Sequence, residues 1–450
     1  MLQFVNINKK TIDFCTRETY YFSILNFLTF SHTLDIVERK KQIMKYVVII
    51  GDGMADYKID SLGGKTPLQA ACKPRMDYMA KHGTVGFAHN VPCDMIPESD
   101  TANLAVMGYN PKKYSKGRSP LEAVSMGIDM QPDETAFRIN TVSLTEGEVF
   151  EKQRILDHGA DEIPTEESKL LIETLQKELG DDIRTYYPGI SYRHCLIWKD
   201  APELCSFTRP HDILGCVIED YIPKGEIGKP YLDIMKKSYE ILKNHPVNVD
   251  RKKRGLLPAN SLWIWGPGKK PQLASFEERF GKKATVISAV DLIKGIGLCA
   301  GMEVVDVPGA TGNINTNFEG KAKAAVDALK NGSDLVYVHV EAPDECGHRA
   351  EIANKIKSIE YIDSKVIAYI EDSLKAMGED YRFLILPDHP TPIALRTHTL
   401  DAVPYIMYAN NFEVESDAEA YDEFFGVEDI SYVSTVNYSK GHHIMENFLK

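Results

Sequence analysis

At 450 residues the chain exceeds what one hydrophobic core usually fills, so two domains are expected, and 43% hydrophobic residues is an ordinary globular composition. A net charge of −13 argues against a nucleic-acid-binding or anionic-membrane surface and leaves room only for a local basic pocket. The 8 cysteines form no CxxC pair and no disulfide-like spacing, which points to a reducing cytoplasm.

In residues 1–43, the apolar stretch at 20–30 (YYFSILNFLTF) is too short and interrupted to span a bilayer. Mixed charges upstream (Asp13, Arg17, Glu18) and the lack of a small-residue cleavage site disfavour a signal peptide, so this extension is expected to be dispensable, with folding starting at Met44. A strand at 47–50 then runs into Gly51-Asp52-Gly53, followed by a helix over 67–82 despite Pro74. The next loop carries Pro97 to Asn103 into an apolar run, which places Ser99 near a helix N-terminus, where phosphate is welcome and where a plain capping role is also open.

Residues 130–257 have a different texture: an alternating strand at 137–144, an amphipathic helix at 168–179 and a short strand at 195–198, closed by the charged run 250–254. This reads as an inserted domain. Sheet-like character resumes at 262–265, within the part assigned to the catalytic domain from 258 onward. Strands at 284–288, 335–340 and 382–386 then alternate with helices at 289–299, 321–331 and 358–377, which implies a mostly parallel sheet.

The apolar runs at 47–50, 335–340 and 383–386 each end in metal-binding side chains: Asp52; Asp344 and His348; Asp388 and His389, with His398 nine residues further on. One such pair is ordinary capping. Three sets at strand ends point to a dinuclear site of the kind that clamps phosphate. Oxygen and nitrogen donors without thiolates suit Mn²⁺, Zn²⁺, Co²⁺ or Fe²⁺, and residue types alone do not rank them. Two such cations would activate Ser99 as a nucleophile. His339 and Glu341, just upstream of Asp344, are either supports for these ligands or plain strand-end residues.

The strings GDGMAD (51–56), PESDTANLAVMGYNP (97–111), GRSPLEA (117–123), PGATG (308–312), HVEAPDECGH (339–348), LPDH (386–389) and RTHT (396–399) together resemble the cofactor-independent phosphoglycerate mutases of the archaeal type, in the alkaline phosphatase superfamily. The resemblance runs in order over residues 44–450. It implies an α/β, alkaline-phosphatase-like, mostly parallel sheet flanked by helices, formed by 44–129 and 258–450, with 130–257 as an inserted α+β cap domain. It further implies that Ser99 is phosphorylated, that Asp52, Ser99, Asp388 and His389 hold one divalent cation, and that Asp344, His348 and His398 hold the other. Manganese or zinc is the leading choice, with Co²⁺, Fe²⁺ or Mg²⁺ as alternatives and no 2,3-bisphosphoglycerate.

For substrate binding the resemblance points to Arg251 and Arg254, with Arg118, Arg193, His211 and Asn103 as further contacts, since guanidinium forks suit carboxylate and phosphate. The implied reaction interconverts 3-phosphoglycerate and 2-phosphoglycerate, in glycolysis and gluconeogenesis, with a small phosphorylated metabolite as partner and neither nucleic acid nor membrane. The alternatives are a related phosphotransferase, such as the proposed homoserine kinases, or a phosphomonoesterase.

Overall fold

Strand β1 (Lys45–Gly51) places Val47, Val48, Ile49 and Ile50 out of contact with solvent, as a strand covered on both faces requires. The computed structural model describes residues 44–450; the expectation made for 1–43 falls outside the described residues. Helix α1 (Pro74–Lys81), strand β2 (Thr84–Ala88), α2 (Ser99–Val106) and α3 (Ser119–Ser125) follow. Next come β3 (Glu134–Leu144), β4 (Ile155–Asp157), α4 (Thr165–Leu179), β5 (Arg184–Tyr187), β6 (Arg193–Lys199), α5 (Gly225–Leu242), α6 (Pro246–Lys253) and β7 (Ser261–Gly268). The last third holds β8 (Ala284–Ile287), α7 (Asp291–Cys299), β9 (Glu303–Val305), α8 (Phe318–Lys330), β10 (Leu335–Val340), α9 (Ala342–His348) and α10 (Ile352–Tyr361). A π-helical turn (Ile362–Ile367), α11 (Ala368–Met377), β11 (Tyr381–Leu386) and β12 (Val403–Ala409) follow, and a short helix (Ile444–Phe448) comes last.

The main sheet has the order β2-β12-β11-β1-β10-β8-β9. Strand β1 lies parallel between β10 (Val48↔Tyr337) and β11 (Val48↔Leu384), β8 and β9 continue in parallel, and β12 alone runs against its neighbours. Val47, Ile49, Val336, Val338, Phe383 and Ile385 pack one face of this sheet against the helices around it. The alternating sequence of β3 anchors a second, antiparallel sheet, in which it pairs with β4, β6 and β7 while β5 extends β6. Phe137, Ile139, Leu171, Leu175, Tyr231 and Trp263 fill its own core.

Three expectations need correction. The helix expected over 67–82 is two helices, Pro67–Ala70 and α1, broken at 71–73 because Pro74 has no N–H to donate and instead starts α1. The segment 262–265 does not resume the main sheet: as part of β7 it pairs with β3 (Ile139↔Ile264), because Leu262, Trp263 and Ile264 complete the second core. The helix expected over 358–377 starts earlier, at Ile352, and is interrupted by the π-helical turn, where Asp363 turns back to accept the Met76 amide at the start of α1 (2.8 Å).

Candidate metal centre

The three central strands β11, β1 and β10 end side by side, so the segments that follow them converge at the carboxyl edge of the sheet, where α/β folds bind ligands. After β1, Asp52 is buried and Gly53 adopts a φ of 59°, where a Cβ would collide with Thr391 and Asp344. The Gly53 amide donates to Asp388 Oδ1 (3.2 Å). After β10, α9 places Asp344 and His348 one turn apart on the same side, with His348 Nε2 3.2 Å from Asp344 Oδ2. After β11 come Asp388 and His389, both buried, and the chain returns His398 to stack on His389 with ring centroids 3.9 Å apart. Ser99 is the first residue of α2, and its Oγ lies 3.2 Å from His389 Nε2.

Two groups of side chains offer atoms mutually within 4.8 Å: Asp52, Asp388 and His389, and Asp344, His389 and His398. His348 joins the second, its Nε2 standing 2.9 Å from His398 Nε2. The other ring nitrogens explain this pair. His398 Nδ1 donates to Pro97 O (2.7 Å) and His348 Nδ1 to Arg396 O (3.0 Å), the latter aimed by a left-handed Arg396 (φ 54°). Two lone pairs therefore face one another, an arrangement that a shared cation or proton satisfies. Asp52 Oδ1 is buried without a hydrogen-bond donor. Hard carboxylate oxygens with imidazoles and a hydroxyl form a donor set that fits divalent cations.

The electrostatics carry the same signature. Burial, then the charges of Asp388, Asp344 and Glu341, push Asp52 well above the usual carboxylate range. Burial would also raise Asp344, but hydrogen bonds from His348 and His398 outweigh it and hold Asp344 well below its ordinary value. The Asp344 partner lifts His348 to about 9, whereas burial lowers His389. So many acids in one buried place call for positive charge. Within the protein, Lys321 of α8 supplies some: it is wholly buried, donates to His339 O (2.8 Å) and lies within electrostatic range of Asp52 and Glu341.

Beside Ser99 opens a cavity of about 470 Å³, lined by Glu98 and Thr101 from α2 and its cap, Arg118 before α3, and Arg138, Arg209 and Trp265 from the region of the second sheet. Arg118 reaches Glu98 Oε2 at 3.4 Å and Arg209 reaches Glu98 Oε1 at 3.9 Å. Arg138 donates to Glu122 (Nε to Oε2, 2.7 Å) and packs over the Trp265 ring at 4.8 Å. His211 stands 5.7 Å from Trp265 and 6.0 Å from His158, ring to ring.

A family profile described as 2,3-bisphosphoglycerate-independent phosphoglycerate mutase matches residues 80–248. A protein of that name from Methanosarcina barkeri is 51% identical over 383 residues, covering 84% of this chain and 94% of the relative. The chain belongs to this family. A Geobacter sulfurreducens relative, named as a probable enzyme of the same kind, is 46% identical over 84% of this chain and 94% of its own length. Among solved structures, the PH0037 protein of Pyrococcus horikoshii matches with a TM-score of 0.74 at 29% identity, covering 91% of this chain and 98% of that one. The cofactor-independent phosphoglycerate mutase of Thermoplasma acidophilum matches with a TM-score of 0.64 at 26% identity, covering 90% and 99%.

Within this phosphoglycerate mutase fold, the structure brings together Asp52, Ser99, Asp344, His348, Asp388, His389 and His398, and Arg118 lines the adjoining cavity. His211 is exposed close to the cavity wall, and Arg193 is exposed on β6, bonded to the Tyr192 hydroxyl (3.1 Å). Three expected substrate contacts are otherwise engaged. Arg251 is 1% exposed, and its three guanidinium nitrogens reach Leu257 O, Glu167 and Ala160 O (2.9, 2.6 and 2.6 Å); Arg254 pairs with Glu167 and Asp250. These arginines brace the second sheet's helices, so the RxxR spacing marks a structural fork. Asn103 is also committed: its amide donates to Ser99 O and Asp388 Oδ2 (both 2.8 Å), and its Oδ1 accepts from the Tyr337 hydroxyl (2.6 Å). Arg138 and Arg209 went unmarked because each stands alone in sequence, whereas Arg251 and Arg254 advertised themselves by spacing. The one available signal for Arg138 was a guanidinium set between Phe137 and Ile139 in the middle of β3.

Proposed function

We propose that the chain interconverts 3-phosphoglycerate and 2-phosphoglycerate by passing the phosphoryl group through Ser99. The observation that carries this reading is Ser99 Oγ at the first position of α2, 3.2 Å from His389 Nε2, with its chain neighbours Glu98 and Asp100 lining an arginine-bearing cavity. The donor set fits two divalent cations such as manganese or zinc, which would be held by Asp52, Ser99, Asp388 and His389 on one side and by Asp344, His348 and His398 on the other. Bound there, they would neutralise phosphate oxygens and favour the ionised serine.

Ser99 Oγ forms a bond to phosphorus as the bond from phosphorus to the substrate's 3-oxygen breaks, leaving phosphoserine and glycerate, with the serine proton ending on the glycerate hydroxyl. Arg118, Arg138 and Arg209 hold the carboxylate and limit glycerate to turning in place. Its 2-hydroxyl oxygen then bonds to phosphorus as the bond from phosphorus to Ser99 Oγ breaks, and the hydroxyl proton ends on Ser99, regenerating it. Residues 130–257, together with β7, act as a cap that keeps water from the phosphoserine, since water in the second step turns a mutase into a phosphatase.

The test is an enolase-coupled assay on metal-loaded protein with 3-phosphoglycerate, without 2,3-bisphosphoglycerate, with free phosphate followed in parallel. Metal-dependent formation of 2-phosphoglycerate that falls on the order of a thousandfold or more in Ser99→Ala supports the reading. Phosphate release without isomerisation, or full turnover by Ser99→Ala, overturns it.

A further inference from the structure

Lys355 of α10 is completely buried, and its ammonium meets Asp56, whose side chain is 1% exposed, at 2.7 Å. The same nitrogen donates to Thr391 O (2.8 Å) and reaches Ala55 O (3.5 Å). The Asp56 carboxylate in turn accepts the amides of Tyr57 (2.7 Å) and Ile393 (3.1 Å). Each partner lies on a segment that carries candidate metal ligands: Ala55 and Asp56 follow Asp52, Thr391 and Ile393 follow Asp388 and His389, and α10 directly follows Asp344 and His348 on α9. The Thr391 hydroxyl donates to Asp344 Oδ1, so the hold on Thr391 passes to that carboxylate. Glu423 closes the network from the far side, accepting the Asp56 amide (3.0 Å) and the Thr66 hydroxyl (2.6 Å).

We infer that Lys355, through Asp56 and Thr391, is a positioning residue that fixes the spacing of the three ligand-bearing segments and so sets the cation affinity of the centre. An ion pair in this place is a poor choice for stability alone, because apolar side chains of similar volume usually stabilise a buried site as well or better. What a buried ammonium adds is direction: short bonds to the Asp56 carboxylate and the Thr391 carbonyl, with Ala55 O at 3.5 Å, fix both loops relative to α10. Supports of this kind typically alter metal affinity by one to two orders of magnitude.

The inference rests on the reading that Asp52, Asp344, Asp388 and the histidines hold divalent cations. The experiment is competition between the protein and a chelating dye for Mn²⁺ and, separately, Zn²⁺, on wild type, Lys355→Met and the double variant Asp56→Asn/Lys355→Met. The double variant leaves no buried unpaired charge and carries the test if the single one fails to fold. Both folded variants are expected to bind on the order of 10- to 100-fold more weakly than wild type, with turnover restored by excess metal. A double variant that binds both ions with wild-type affinity overturns the inference. A wild-type protein that binds neither ion removes the metal reading itself.

Discussion

At the scale of single residues, Asn103 shows how an expected ligand contact becomes a brace. Its amide is shared between Ser99 O and Asp388 Oδ2, and the Tyr337 hydroxyl fixes which end of the amide faces which partner. Burial pushes Tyr337 far above the usual phenol range, so it stays a donor. Tyr337→Phe removes that donor without leaving a cavity; about 1–2 kcal/mol of stability is expected to go, and cation affinity to fall about tenfold, read by thermal melting and dye competition. The proton held by His348 gives a second prediction. With His348 raised to about 9 by Asp344, a cation binding there between pH 7 and 9 must displace a proton. Affinity is therefore expected to rise about tenfold per pH unit over that window and to level off above it, while His348→Ala abolishes the slope.

At the scale of elements, α6 and the cavity wall separate two uses of arginine. Arg251→Met leaves the Leu257 and Ala160 carbonyls without their buried donor and Glu167 with Arg254 alone. A loss of about 3–5 kcal/mol in melting is expected with KM little changed. Arg209, half exposed and among the described residues paired with Glu98, predicts the reverse: Arg209→Ala is expected to raise KM for phosphoglycerate about tenfold at an unchanged melting temperature. The same contrast marks what could be read from sequence. Strands β1, β10 and β11 were legible because each carries a run of buried apolar residues, and most of the candidate ligands were legible because they come within a few residues of the ends of those runs. The sheet to which 262–265 belongs was not, since a run of Leu, Trp and Ile satisfies any core and only pairing with β3 decides among them. Lys355 and Lys321 were invisible for a related reason: a lysine on a helix reads as solvent-facing until the fold buries it.

At the scale of the whole molecule, buried acids beyond the centre make stability depend on pH. Burial raises Glu423 to about 7 although Thr66 and the Asp56 amide support its charge. A carboxyl whose pKa is raised on folding contributes stability that is present below its unfolded value near 4.5 and lost as pH rises through about 7. Melting temperatures of metal-free wild type are expected to fall between pH 5.5 and 8 from this source, and Glu423→Gln to flatten that decline by a few degrees. The position of β1 has a consequence in time as well. Its neighbours β10 and β11 lie near the other end of the chain, so the first of the described strands to be synthesised waits for two of the last before the candidate ligands can come together. Loops of that length close slowly, and pairings of that range dominate the folding barrier. Cation uptake during refolding is therefore expected to lag secondary structure, and a nascent chain interrupted between α2 and β11 carries Ser99 without the full set of segments that would hold the cations.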